Sequence, residues 1–372
     1  MKVNISPRLL RESFWLLPFV FLALCSLSLA RPWRTIPPVS EGRPILDGHG
    51  KTVIIPEPFP GVVVAGRGSE FLSKTHSPES VLKAGGPRDR PRQVRITDLI
   101  LKIYPRFLND DALWDFPGNL ESILANDTGA VYLAGSAPDI YGFTNINASP
   151  PSFADSHNVI FTMIRVWNEV IGKPERAEEL IELYRKEFAA LENDMLVLGK
   201  APTVAGVISP TDEWSRCYGF FMNDVPGVPL AVPEAYPVVY GRESDAERIL
   251  YMNPDVIIIR VGDFGGFIRD ARWRGLDAVE KLRVYQNVVN INGYTFDLDH
   301  RPLASRWIAE IAYPDKLRPE LRGLLQRHYE ESYGYRPDDD EIDALLNVKE
   351  NEGAAYYERF MRPSEKLMER EK

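Results

Sequence analysis

From about residue 50 onward, short continuous apolar runs alternate with longer stretches whose apolar residues recur every three or four positions. The runs are Lys51 to Pro56 (KTVIIP), Gly61 to Gly66 (GVVVAG), Gly129 to Ala134 (GAVYLA), Thr203 to Ile208 (TVAGVI), Val256 to Arg260 (VIIIR) and Asn287 to Ile291 (NVVNI). The first is a short strand ending at a proline, and from GVVVAG onward the runs have the length and β-branched content of buried strands of a parallel sheet. Helical spacing marks Ile96 to Tyr104, Ser244 to Met252, Trp273 to Lys281 and the stretch from Pro302 to Ala312. The longest helical stretch covers 155–197. In its first half Val159, Ile160, Met163, Ile164 and Trp167 share a face, and Gly172-Lys173-Pro174 interrupts it. Glycine after one helix and proline at the start of the next is stop-start punctuation. Ala177, Leu180, Ile181, Tyr184, Phe188, Leu191 and Met195 then predict a second amphipathic helix, of about 22 residues and roughly 33 Å.

Alternating buried strands and helices define an α/β fold. The pattern predicts two lobes, each with a central parallel sheet flanked by helices, joined by one long interlobe helix. The expected divisions are an N-terminal α/β lobe at 31–172, the helix at 173–198, a C-terminal α/β lobe at 199–317 and a helical extension at 318–372. The extension is charged, carries an acidic turn at Asp338-Asp339-Asp340, and is expected to pack on the second lobe.

The first thirty residues read as an export signal. Lys2, Arg8 and Arg11 precede a run from Phe14 to Leu24 that is apolar except at Pro18, and Ser28-Leu29-Ala30 forms a small-x-small cleavage site. The apolar run is short for a membrane span. Cleavage after Ala30 and export are expected. An uncleaved anchor is the alternative, and lipidation at Cys25 is less favoured because Leu24 stands where a lipobox has a small residue.

Composition narrows the function classes. The chain has 372 residues, 44 Lys and Arg against 53 Asp and Glu, and a formal net charge of −9. Losing Lys2, Arg8, Arg11 and Glu12 with the signal makes the exported chain more acidic still. That balance is the reverse of a nucleic-acid-binding footprint. Only Cys217 would remain after cleavage, so no internal disulfide is expected and the core alone must hold the fold.

The sequence contains no G-x-S-x-G, no phosphate-binding Walker loop, no H-E-x-x-H and no C-x-x-C, and its five histidines show no metal-ligand spacing. No catalytic residue, metal site or resident cofactor is expected. Instead, aromatic residues and arginine follow the strand runs, where α/β sheets bind ligands. Arg67 follows GVVVAG, Tyr141 follows GAVYLA, and Trp214, Arg216 and Tyr218 follow TVAGVI. Phe264 follows VIIIR, and Phe296 and Arg301, with Asp297 and His300, follow NVVNI. Guanidinium groups pair with carboxylates and rings stack, so the set suits a planar anionic ligand.

Two segments also echo each other. Glu121-Ser122-Ile123-Leu124 precedes Ala130-Val131-Tyr132-Leu133, and Glu247-Arg248-Ile249-Leu250 precedes Val256-Ile257-Ile258-Ile259 at the same offset. Equivalent lobes would produce this echo. Unrelated αβ units often look alike too, and the helix dipole by itself favours glutamate in a first turn.

Four stretches resemble the periplasmic substrate-binding proteins of ABC importers for iron-siderophores, haem and cobalamin. They are GKTVIIPEPFPGVVVAG at 50–66, PGNLESILANDTGAVYLAG at 117–135, ERILYMNPDVIII at 247–259 and WRGLDAVEKLRVYQN at 273–287. The resemblance covers about residues 48–345. Gly61 stands where that family usually has Arg, and Asp127-Thr128-Gly129 replaces its Lys-Pro-Asp. The resemblance implies a monomeric receptor that holds a ferric siderophore, haem or corrinoid between its lobes and delivers it to an ABC importer permease in the inner membrane. It also implies that Glu121 and Glu247 dock into the permease, and that a helical hinge limits lobe closure. Two other readings stand beside it: an exported enzyme on the same scaffold, since fold does not fix function, and a zinc or manganese receptor, which the scarcity of histidine disfavours.

Overall fold

The computed structural model describes residues 42–64, 75–84, 99, 102–105, 130–134, 143–151, 156–196, 198, 202–207, 249–259, 264–288 and 300–362. Strands β1 (Gly42–Leu46) and β2 (Thr52–Pro56) form an antiparallel hairpin. Its turn is closed by Asp47, whose Oδ1 accepts the amides of His49 and Lys51, both at 2.9 Å. Strands β3 (Val62–Val64), β4 (Val81–Ala84), β5 (Val131–Ala134) and β6 (Thr144–Asn147) make a parallel sheet in the order β4-β3-β5-β6. Strands β7 (Val204–Val207), β8 (Val256–Ile259) and β9 (Val284–Gln286) make a second parallel sheet, in the order β7-β8-β9.

The runs in β3, β5 and β8 become strands with core on both sides, whereas KTVIIP forms the antiparallel hairpin strand β2 and exposes Thr52 and Ile54. In β8, Val256 and Ile258 join the main core while Ile257 and Ile259 join a second cluster around Phe267 and Trp273. That is the two-residue alternation of a strand, used to fill both faces. Phe267 and Trp273 stack with ring centroids 5.0 Å apart and planes 11° apart.

Helix α1 (Ser156–Val170) and helix α2 (Pro174–Met195) lie where the spacing puts them, with the break at Gly172, whose φ is +76°. The α2 residues that are buried are the seven the spacing predicts, Ala177 to Met195. Pro174 occupies the first turn, where its missing N–H leaves no bond unmade. Helix α3 (Phe264–Arg269), the short helix α4 (Asp277–Glu280) and helix α5 (Arg301–Ala312) complete the part that carries the second sheet.

The structure differs from the sequence reading in three places. Among the described residues the strand here is Val284–Gln286, with Asn287 and Val288 just beyond it; residues 289–291 of the expected run lie outside the described residues. The Asn287 amide still donates to the Ile259 carbonyl at 2.8 Å, while its own carbonyl accepts the Asn347 side chain at 2.5 Å. The helix expected from Trp273 to Lys281 is split into a single 3-10 turn at Ala271–Trp273 and α4, because Gly275 between them has a φ of +91°. Strands β1, β4 and β6 carry no buried run long enough to announce them: β1 (GRPIL) holds Gly and Pro on a half-exposed hairpin, and β6 (TNIN) is polar.

The C-terminal extension contributes to the core. Helix α6 (Leu321–Tyr333) and helix α7 (Asp339–Leu345) bury Leu321, Leu325, Tyr329, Tyr333, Ile342 and Leu345 in the cluster that holds α1, α2 and residues of both parallel sheets. Asp338 and Glu341 form a capping box at the start of α7, each side chain accepting the other's backbone amide, at 2.9 and 2.8 Å. Farther on, the fully buried Asn351 stands in for a neighbouring strand along β9. Its Oδ1 accepts the Gln286 amide at 2.6 Å and its Nδ2 donates to the Gln286 carbonyl at 2.9 Å. An otherwise open sheet edge is closed this way.

Candidate functional site

In a parallel sheet every strand ends at the same edge, and ligands bind in the crevice outside the carboxyl ends. The register fixes those ends here. Val64 pairs with Leu133 and Ala134 with Asn147, so the chain leaves β3, β5 and β6 at one edge of the first sheet. Val207 pairs with Ile259 and Ile259 with Gln286, so the chain leaves β7, β8 and β9 at one edge of the second. Within each sheet the structure therefore brings together the roots of the loops that carry the candidate ligand residues. Arg67 lies three residues beyond β3 and Tyr141 seven beyond β5. Trp214, Arg216 and Tyr218 follow β7, Phe264 follows β8 and Phe296 follows β9.

Arg67, Tyr141, Trp214, Arg216, Tyr218 and Phe296 lie outside the described residues, as do Glu121 and Glu247. Phe264 opens helix α3, and its side chain is outside the described ones. Arg301 begins α5 and has no exposed surface. Its neighbour His300 is equally buried, with Nε2 3.1 Å from the hydroxyl of Tyr333. His300 belongs to a packed aromatic group, its ring centroid 5.2 Å from that of His328 and 5.4 Å from that of Tyr329. His328 in turn lies 3.0 Å from a carboxylate oxygen of Glu187 on α2 and 3.4 Å from the hydroxyl of Ser332. The end of the loop that follows β9 is thus anchored in the core. The echo between the halves also survives to within one residue: β8 begins nine positions after Glu247, and β5 begins at Val131, one residue later than the echo places it.

A cavity of about 330 Å³ lies between α2, α5 and α6, lined by Glu187, Asp194, Leu303, Arg306, Glu320 and Leu324 among others. Its cation is already engaged. Arg306 donates from Nε to Glu310 at 2.8 Å, from another nitrogen to Asp194, and from a third to the Arg318 carbonyl at 3.1 Å, with Glu320 at 3.5 Å. The side chain of Glu310 is wholly buried, and burial pushes its carboxyl up from the usual range more than Arg306, the Glu320 amide and Arg359 pull it down. This network holds three helices together and offers no free charge to a ligand. Among the described residues no group of three or more His, Cys, Asp or Glu is placed to hold a metal, and no helix is long and apolar enough to cross a membrane.

Two features of the C-terminal extension escaped the sequence reading. The D-x-x-E pattern at Asp338–Glu341 is a capping-box signature that could have located α7. Asn351 has no such signal, because nothing in its neighbourhood shows that it faces a sheet edge.

Two parallel sheets flanked by helices, with their strand ends paired, have the class of fold seen in periplasmic solute-binding proteins of ABC transporters. The chain shares this fold with 81 chains of solved structures. A periplasmic solute-binding protein from Veillonella parvula is 19% identical with a TM-score of 0.63, covering 84% of this chain and 98% of its own. The molybdate periplasmic binding protein MolA of Haemophilus influenzae, bound to molybdate, is 17% identical with a TM-score of 0.62, covering 80% and 99%. The periplasmic haem-binding protein RhuT from Roseiflexus, in its apo form, is 16% identical with a TM-score of 0.51, covering 69% and 99%. No family model matches the chain. No curated protein matches it either.

Proposed function

We propose that the chain is an exported receptor that binds a metal chelate, namely a ferric siderophore, haem or a corrinoid, and presents it to the permease of an ABC importer. The observation that carries this reading is the fold shared with solute-binding proteins over nearly their whole length. In this reading each parallel sheet is the centre of a lobe, α2 is the interlobe backbone, and the ligand sits between the carboxyl edges of the sheets. Arg67, Tyr141, Trp214, Arg216, Tyr218, Phe264 and Phe296 would line the cleft, and Arg301 would back the last loop from inside. Rings supply stacking surface and guanidinium groups meet the carboxylates of the chelate. Glu121 and Glu247 would each meet a basic pocket of the permease, one per lobe, which reads closure on ligand as a spacing between two charges. The receptor acts as a monomer in the periplasm after loss of residues 1–30, performs no chemistry and keeps no resident cofactor; the chelate is cargo.

The test is a fluorescence titration of residues 31–372, whose tryptophans include Trp214 in the proposed cleft. Haem, ferric siderophores of the catecholate and hydroxamate types, and cobalamin are the probes. Saturable quenching by one of them at micromolar concentration or below is the expected result. A flat response to all of them would refute the reading.

A further inference from the structure

The C-terminal extension touches the surroundings of both parallel sheets. On the side of the second sheet the attachment is dense. Asn351 brackets Gln286 in β9, the Ala355 amide donates to the Leu282 carbonyl at 2.8 Å, and the Tyr285 hydroxyl donates to the Ala355 carbonyl at 2.8 Å. On the side of the first sheet it is a narrower polar seam. Lys102, from the chain between β4 and β5, pairs with Glu341 at 2.6 Å. His76, just ahead of β4, stacks on Tyr333 with centroids 6.0 Å apart and planes 22° apart. Arg176 in the first turn of α2 donates to the carbonyls of Glu331 and Ser332 at 3.1 and 3.0 Å, and one of its nitrogens lies 3.3 Å from His76 Nε2. These carbonyls close α6, the end of a helix where a cation is favoured.

Glu341 is the hub of this seam. One carboxylate accepts the Asp338 amide of the capping box at 2.8 Å, the Tyr335 hydroxyl at 2.8 and 2.9 Å, and Lys102. Burial acts to raise its carboxyl, but Lys102, the Asp338 amide and the Tyr335 hydroxyl together hold it below the usual range. The group that caps α7 is therefore the group that grips the first sheet's surroundings. Between the seam and the β9 attachment the strap is stiff, because α6 and α7 are packed into the core.

We propose that residues 313–362 form a strap across the two halves, a second crossing beside α2, and that the Lys102–Glu341 and Arg176–α6 seam fixes the angle between the sheets. The inference rests on the two-lobed reading above but not on the identity of the ligand. A helix alone can flex along its length. A strap anchored on both sides removes that freedom unless the seam slips, so the seam sets how far the halves can move.

The experiment is a spin-label distance measurement on residues 31–372. The labels sit at Lys51→Cys and Glu280→Cys, both exposed, in a Cys217→Ser background. The seam is opened by Arg176→Ala with Glu341→Gln. Glutamine keeps one acceptor oxygen for the capping box and loses the charge pair with Lys102 together with one of the two Tyr335 contacts. The expected result is a single narrow distance distribution for the parent, widened about twofold or more in the seam variant, with unchanged far-ultraviolet circular dichroism. An unchanged width would overturn the proposal. Should the double variant fail to fold, Glu341→Gln alone carries the same expectation at smaller amplitude, and an unchanged width there overturns it equally. Chelate titration of the same samples separates the two ideas. Widening without chelate binding keeps the strap and removes the receptor reading, whereas chelate binding with unchanged width removes the strap.

Discussion

Glu310 is the buried charge on which the helical layer depends. Replacing it by alanine removes a charge-assisted bond from Arg306 at 2.8 Å and the acceptor of the Glu320 amide at 3.0 Å, and it takes a carboxylate away from Arg359, 3.9 Å distant. A hydrogen bond to a charged group contributes about 1.5–3 kcal/mol and a neutral one about 1 kcal/mol. Breaking a buried ion pair from one side costs about 3–5 kcal/mol, because the remaining charge stays buried. Arg306 keeps Asp194 and the Arg318 carbonyl, so Glu310→Ala is expected to lose about 3–4 kcal/mol, a large share of a net stability of about 5–15 kcal/mol. Urea unfolding followed by tryptophan fluorescence reads the loss, with Trp307 in the same helix as a reporter. Glu310→Gln keeps the shape and an acceptor and is expected to cost about 1 kcal/mol. The pH dependence has a definite sign. The folded carboxyl titrates above its unfolded value because it is buried, so the stability it lends is present in acid and falls as pH rises through the folded value. The midpoint of the wild type should therefore lose ground to that of Glu310→Gln on going from about pH 4 to about pH 7. A loss below about 1 kcal/mol for Glu310→Ala, or equal damage from the two variants, would refute the reasoning.

Two further outcomes follow from other parts of the molecule. Asn351→Ala removes the side-chain partner of the Gln286 amide and carbonyl at a buried sheet edge, at a cost of about 3 kcal/mol, and hydrogen exchange at the Gln286 amide should quicken about a hundredfold; unchanged protection would show that the edge is closed by something else. Glu121→Ala combined with Glu247→Ala is expected to spare chelate binding while abolishing uptake in cells, and normal uptake by that variant would remove the docking assignment.

The strongest periodicities were the most informative. Ala177 to Met195 defined the buried face of α2 because seven apolar residues at helical steps admit one amphipathic solution. The runs in β3 and β8 could be read because strands covered on both faces leave no polar positions. Strand β6 is legible only from its neighbour: Thr144, Asn145 and Asn147 pair with β5 at the sheet edge, where composition is free. Gly61, out of place in the resembling motif, has a φ of +100°, and a Cβ there would stand 2.7 Å from Leu82 Cγ, so the local backbone explains the residue. Of the candidate site, the roots of the loops after β3, β5, β7 and β8 were legible. The burial of Arg301 and His300 was not, because a residue at a strand-following loop looks the same in sequence whether it turns toward a cleft or toward the core.

A receptor of the proposed kind leaves its host with a metal chelate aboard. The most direct measurement is the absorption spectrum of the protein purified from its native host without added ligand. The expected result is a visible band that travels with the protein: a Soret band for haem, a broad charge-transfer band for a ferric siderophore, or the multiple bands of a corrinoid. A spectrum with only the protein band near 280 nm, from cells supplied with each of these chelates, would contradict it.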